Sequence, residues 1–109
     1  MRELLEGLIS KFNARVAADE GLRAELGDLT KTVLIELKDG TKFHFTLKDQ
    51  RVAQLLDGGV EHPDITIQSD AETLGALIRR EVGPFKAYAT GKLRFKGSLE
   101  DLSRFRKFF

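Results

Sequence analysis

A chain of 109 residues without cysteine has no disulfides or thiolate-held metals to rely on, and 18 basic against 17 acidic residues leave a net charge of +1 that singles out no class of partner. At this length one domain spanning residues 1–109 is expected, large enough to bury roughly two-thirds of its unfolded surface. No apolar run approaches the ~20 residues needed to cross a bilayer, and Met-Arg-Glu-Leu-Leu-Glu at the start is not signal-peptide-like, so the expected location is the cytoplasm.

Residues Arg2 to Ala18 have a helical period, with Leu4, Leu5, Leu8, Ile9, Phe12 and Val16 on one stripe and Glu3, Glu6, Lys11 and Arg15 away from it. A helix packed on the domain's own core is the expectation; too few cations line its polar face for a membrane-surface helix. Asp19 to Asp28 is a polar connector in which Leu22 and Leu26 hold one helical turn on the core. Thr30 to Lys48 then reads as a hairpin. Val33, Ile35 and Leu37 alternate with Thr32, Leu34 and Glu36, and Phe43, Phe45 and Leu47 alternate with Lys42, His44 and Thr46. Asp39-Gly40 between them predicts a type I′ turn. One face of the pair is apolar and the other mostly polar, as in an antiparallel sheet with one wet side.

Arg51 to Leu56 is expected as a third strand, although without a clean period a single helical turn is the alternative, and Asp57-Gly58-Gly59 ends it. His62 precedes Pro63 and is therefore expected to be extended. Asp64 to Gln68 is a short strand with Ile65 and Ile67 on one face. Ser69 followed by Glu72 predicts a capping box that opens a helix, with Leu74, Leu77 and Ile78 as its buried stripe, cations Arg79 and Arg80 at its end and Gly83-Pro84 as its stop. Phe85 to Thr90 is one further turn that delivers Tyr88 to the core. In Lys92-Leu93-Arg94-Phe95-Lys96 three cations alternate with two apolar residues, which predicts a strand. Ser98 is the expected N-cap of a last helix that has Glu100 and Asp101 in its first turn, Arg104, Arg106 and Lys107 in its last, and Leu99, Leu102, Phe105 and Phe109 on one side. From Pro84 onward seven basic residues face two acidic ones, a net of +5 that leaves −4 for the rest. Such a basic quarter could meet an anionic surface, although a solvated face is the simpler explanation. The order specifies an α+β fold, a mostly antiparallel sheet with helices packed on one face and the other face open to water.

Site chemistry is sparse. His44 lies on the polar side of a strand and His62 sits before a proline, neither with a spaced metal partner, so both read as structural or exposed. There is no Gly-x-Ser-x-Gly elbow and no phosphate-cradling glycine loop, since Gly58-Gly59 lacks the Lys-Ser/Thr that would follow. No catalytic residue, metal ligand or cofactor is expected. Nucleic acid is not expected as a partner either, because Phe43, Phe45 and Phe95 share the aliphatic face rather than standing on an open sheet as base-stacking platforms.

Two blocks carry a resemblance. Asp64-Ile65-Thr66-Ile67 followed by Ser69-Asp70, and the run Pro84-Phe85-Lys86-Ala87-Tyr88-Ala89-Thr90-Gly91-Lys92-Leu93-Arg94-Phe95-Lys96-Gly97, resemble the sterol carrier protein domain of the nonspecific lipid-transfer family, in the same order and at compatible spacing. The Asp39-Gly40 hairpin falls where that family has one. The resemblance implies a five-stranded, mostly antiparallel sheet with helices on one side enclosing an apolar tunnel for acyl chains or sterols. It places the pocket among Phe43, Phe45, Leu74, Leu77, Ile78, Tyr88, Leu93, Phe95, Leu102 and Phe105. The end Arg-Lys-Phe-Phe is not the Ser-Lys-Leu type of peroxisomal address, and a stand-alone form of the domain is expected.

The function expected from residues and resemblance together is noncatalytic binding, with transfer, of a fatty acid, acyl thioester, isoprenoid or sterol by a monomer or homodimer. Lys92, Arg94 and Lys96 would make transient contact with an anionic membrane. The competing expectation is a filled-core accessory or dimerisation module for a lipid-pathway enzyme, with the Leu4–Val16 helix and Phe108-Phe109 as its contacts.

Overall fold

The computed structural model describes residues 1–105, and side chains through Arg104. Helix α1 (Arg2–Ala18) buries Leu5, Ile9, Phe12 and Val16, the predicted stripe. The connector after it is a full helix, α2 (Glu20–Leu26), rather than one turn, because Asp19 N-caps it by accepting from the Leu22 amide at 3.0 Å. Arg23 reaches back to donate to the carbonyls of Val16 and Ala17, so the end of α1 is closed by a cation from α2.

Strands β1 (Lys31–Leu37) and β2 (Lys42–Lys48) form the predicted hairpin, with Ile35 opposite Phe43 and Val33 opposite Phe45. Its turn is not type I′. The Gly40 amide donates to Leu37 O (3.0 Å), the Leu37 amide to Thr41 O (2.8 Å), and only Gly40 has positive φ (94°). That is a type I turn closed by a left-handed glycine with a bulge, the three-residue hairpin solution. The type I′ turn comes at the other end of β2, where Asp49 (φ 53°) and Gln50 (φ 65°) join it to β3 (Arg51–Val52) without a glycine. The expected third strand is two pieces, β3 and β4 (Leu56–Asp57), both on the outer edge of β2. Between the two pieces the register slips by one residue, with Leu47 opposite Val52 but His44 opposite Leu56, so the edge carries a bulge. Asn13 of α1 accepts from the Val52 amide (2.9 Å) and donates to the Val52 carbonyl (2.8 Å), covering the outer edge as another strand would.

Strand β5 (Ile65–Ser69) then lies beside β1 in parallel register, Val33 opposite Ile65 and Ile35 opposite Ile67, and β6 (Leu93–Lys96) pairs antiparallel with β5. The sheet order is β3-β2-β1-β5-β6 with β4 also on β2, so the sheet is mixed rather than wholly antiparallel. One parallel pair in the middle forces residues 58–63 to cross from the β2 edge to β5. They cross on the face opposite the helices. There His44 Nδ1 lies 2.9 Å from Gly58 O, and a Cβ at Gly59 would stand 3.5 Å from the Lys42 side chain. Leu34 (6% exposed) and Thr66 (8%) on that same face are buried. The face expected to be open to water is therefore partly strapped. Within the strap His62 has φ 55°, left-handed rather than the predicted extended form.

Helix α3 (Ala71–Ile78) starts one residue later than the predicted capping box. Asp70 is the cap, accepting from the Thr73 amide (2.6 Å) and hydroxyl (3.0 Å), while the Ser69 hydroxyl donates to Lys92 O. These bonds, the backbone one first, hold the Asp70 carboxyl below its ordinary value. The helix ends before Gly83-Pro84: Arg80 (φ 61°) donates to Leu77 O and Glu81 to Ala76 O, a Schellman closure with arginine at the left-handed position. Short α4 (Pro84–Ala89) buries Ala87 and leaves Tyr88 47% exposed, so Tyr88 is not delivered to the core. Helix α5 (Leu99–Phe105) is capped by Ser98 as expected, its hydroxyl accepting from the Asp101 amide at 3.0 Å. The core lies between the apolar sheet face and the helices, joining α1, α2 and α3 to all four long strands.

Candidate functional site

An apolar cavity of about 50 Å³ lies in that layer, between the centre of the sheet and the helices. Val33, Ile35, Phe45, Leu47, Ile65 and Ile67 form its floor, and Leu5, Leu8 and Phe12 of α1, Leu22 and Leu26 of α2 and Leu74 of α3 its roof and sides. The strand period places the floor residues on one face; the i, i+3, i+4 spacing of α1 brings its three over them. Leu29, Glu25, Lys31, Asp101 and Arg104 complete the wall where α5 and α2 meet the start of β1.

That charged wall is unusual for an apolar space. Asp101 is 3% exposed, with Lys31 Nζ at 3.4 Å and Arg104 Nη1 at 3.2 Å from its carboxylate. A buried carboxylate is tolerated only when paired and hydrogen-bonded, so Asp101 ties α5 to the first residue of β1. Among the described side chains of α5, Leu99 is 85% exposed and Leu102 half-buried against the core, while Asp101 supplies a buried polar tie to β1.

Of the ten residues predicted for the pocket, Phe45 and Leu74 line this cavity. Phe43, Leu77 and Leu93 are core residues beside it; Ile78, Phe95 and Leu102 are partly buried and pack against the core; Tyr88 faces outward. The Phe105 side chain lies outside the described residues. The lining that sequence reasoning missed comes equally from α1 and α2 and from the strand floor, whose apolar residues were visible as core signals with nothing to mark the space between them. Asp101 was read as a first-turn helix charge. Among the described residues no three His, Asp or Glu side chains group as metal ligands, and no helix is long and apolar enough to cross a membrane.

Residues 9–109 match the model of the SCP-2 sterol transfer family. The chain belongs to that family. No curated protein matches it. Among solved structures this SCP-2 family chain is similar to a UbiJ-SCP2 ubiquinone synthesis protein, at TM-score 0.69 and 22% identity over 98% of this chain and 86% of that one. It is similar to palmitated SCP2L2 from Aedes aegypti, at TM-score 0.61 and 18% identity over 94% and 90%. It also resembles part of the sec-alkylsulfatase Pisa1 from Pseudomonas sp., at TM-score 0.70 and 16% identity over 95% of this chain. The chain spans only 13% and 16% of the length of the two sulfatase structures it matches. At these identities the likenesses establish the fold, an SCP-2-like α+β architecture.

Proposed function

We propose that this chain binds an apolar small molecule, such as an acyl chain, acyl thioester, isoprenoid or sterol, between sheet and helices and passes it on without catalysis. The observation that carries the proposal is an apolar cavity walled at one end by a helix that Asp101 ties to β1. Pockets that enclose drug-sized ligands measure about 300–1,000 Å³, and a dry cavity of about 150 Å³ takes up benzene. At about 50 Å³ the cavity is a closed form. Release of the Asp101 ties would free α5 to move outward, and the ligand's own buried surface, at about 25 cal/mol per Å², would hold the opened form. The palmitated SCP2L2 structure is in keeping with this. In the same reading the chain works in the cytoplasm as a monomer or homodimer, and Lys92, Arg94 and Lys96 meet anionic membrane during transfer.

The test is uptake of a fluorescent fatty acid, with native mass spectrometry of the freshly purified protein. Saturable uptake, faster in Asp101→Asn than in the parent chain, is expected. A clean apo mass together with no uptake by either protein would sink the proposal.

The small cavity volume favours one second reading, a filled-core accessory module for a larger enzyme. The Leu5–Val16 stripe is spent on the chain's own core, and Phe108-Phe109 lie outside the described residues. A partner would therefore meet the exposed Phe85, Tyr88 and Leu99 instead. A clean apo mass combined with concentration-dependent sedimentation would support that reading.

A further inference from the structure

On the face of the sheet away from the apolar cavity, strand register assembles a second, polar pocket of about 340 Å³. Glu36 is paired with Gln68 across the parallel β1–β5 ladder, and Gln68 with Arg94 across β5–β6, so the three stand in one row on the wet face. Two residues further along, past Leu37, Ser69 and Leu93, the chain presents Lys38 and Lys92 to the same pocket. Lys38 is held there by its amide, which donates to Ser69 O (3.1 Å), and Lys92 by its carbonyl, which accepts from the Ser69 hydroxyl (3.1 Å). Gly91, in a left-handed conformation (φ 77°), turns the chain at the rim.

Three cations thus converge from two segments far apart in sequence, Lys38 after β1 and Lys92 with Arg94 at the start of β6. Among the described residues no carboxylate lies within salt-bridge distance of Lys38, Lys92 or Arg94. The one acid in the pocket, Glu36, is engaged by the Gln68 amide at 2.8 Å. Asp70, next in the chain after Ser69, caps α3 through Thr73, and the Lys38 cation also helps to hold its carboxylate in the charged form. Like charges gathered on adjacent strands repel, and Glu36 and Asp70 offset only part of the three cations, so a concave site with this excess of positive charge suits an anion that arrives from outside. A guanidinium fork beside two ammonium points, with net charge near +2, suits a phosphoryl oxyanion better than a single carboxylate.

We propose that the Lys38–Gln68–Lys92–Arg94 pocket binds a phosphoryl or diphosphoryl group, carried by a free phosphoester or by a lipid headgroup. The site lies on the opposite side of the sheet from the cavity. It is independent of the apolar cavity, while its headgroup arm rests on the membrane contact proposed above for Lys92 and Arg94.

The experiment is an amide chemical-shift titration of the full chain with pyrophosphate at constant ionic strength, beside co-sedimentation with phosphatidylcholine vesicles doped with phosphatidic acid. Arg94→Gln and Lys92→Gln are compared with Lys48→Gln, an exposed cation on the same face outside the pocket. The expected result is saturable shifts at Gln68, Ser69, Gly91 and Lys92. Loss of one charge-assisted contact should weaken binding about tenfold in either pocket variant and leave the Lys48→Gln protein unchanged. Pyrophosphate binding without vesicle binding assigns the site to free phosphoesters. Vesicle binding that Arg94→Gln abolishes and Lys48→Gln spares assigns it to a headgroup. Absence of saturation in both arms, or equal weakening by Lys48→Gln, overturns the proposal, because the attraction would then be diffuse. Unchanged amide positions away from the pocket show that each variant is folded.

Discussion

The row Phe43–Ile35–Ile67–Phe95 and the row Lys42–Glu36–Gln68–Arg94 are neighbours in the same four strands, one residue apart. The first meets α1, α2 and α3, excludes water and borders a cavity; the second carries charge and forms a polar pocket. Both are held by the same backbone ladder, so the difference between them comes from side-chain direction and from what each face is packed against. The dry row obtains its stability from burial. The wet row contributes little to stability, which leaves it free to be shaped by recognition.

The sharpest test of the contrast is a matched pair of truncations on β5. Ile67→Ala, at a site 2% exposed, should destabilise the protein by about 2–5 kcal/mol, while Gln68→Ala beside it should stay within about 0.5 kcal/mol. Chemical denaturation of the two variants measures both, and similar losses would erase the distinction between the faces. Leu34 breaks the simple scheme, since it lies on the wet face yet is buried near the 58–63 crossing. Leu34→Ala should therefore cost about 2–3 kcal/mol; a loss of a few tenths would mean that the crossing covers nothing.

Smaller effects belong to the chain ends of the two rows. Asp70→Ala removes the α3 cap and should lower stability by about 1 kcal/mol at neutral pH. Its folded pKa lies below the ordinary 3.8, so the capping contribution is full above that value and disappears as pH falls through the depressed one. Melting temperatures of parent and variant should accordingly converge in strong acid; a gap that persisted there would assign the loss to something other than the carboxylate. Arg80→Gly should stabilise by about 0.5–1 kcal/mol, because glycine takes the left-handed closing position of α3 without strain. A rise in the unfolding midpoint at constant slope would show it, and a fall would mean that the arginine side chain holds more than the backbone geometry indicates.

Much of this was legible in the residues. Alternation from Val33 to Leu37 and from Phe43 to Leu47 places the two faces of the hairpin, the α1 stripe runs over the residues that are buried, and Ser98 caps α5 as its type suggests. These are local signals, carried by periods of two and 3.6 and by hydrogen bonds within one turn. Turn chemistry was less reliable. Asp39-Gly40 is a good type I′ sequence, but a type I turn with a bulge satisfies the same strands, and the type I′ geometry went to Asp49-Gln50, where Gln50 reaches the Gly27 carbonyl at 3.1 Å. Ser69 looked like a cap until the Lys92 carbonyl took its hydroxyl and left the role to Asp70.

By itself the amino-acid order determined which side chains share a face, because side-chain direction follows backbone period and needs no knowledge of distant segments. Only the tertiary structure decided that β1 and β5 run parallel, that a crossing segment covers Leu34, and that Asp101 is buried against Lys31. It also decided that a space of about 50 Å³ remains between the layers. Each of these depends on the distance between segments far apart in the chain, and no local pattern of residues encodes that distance.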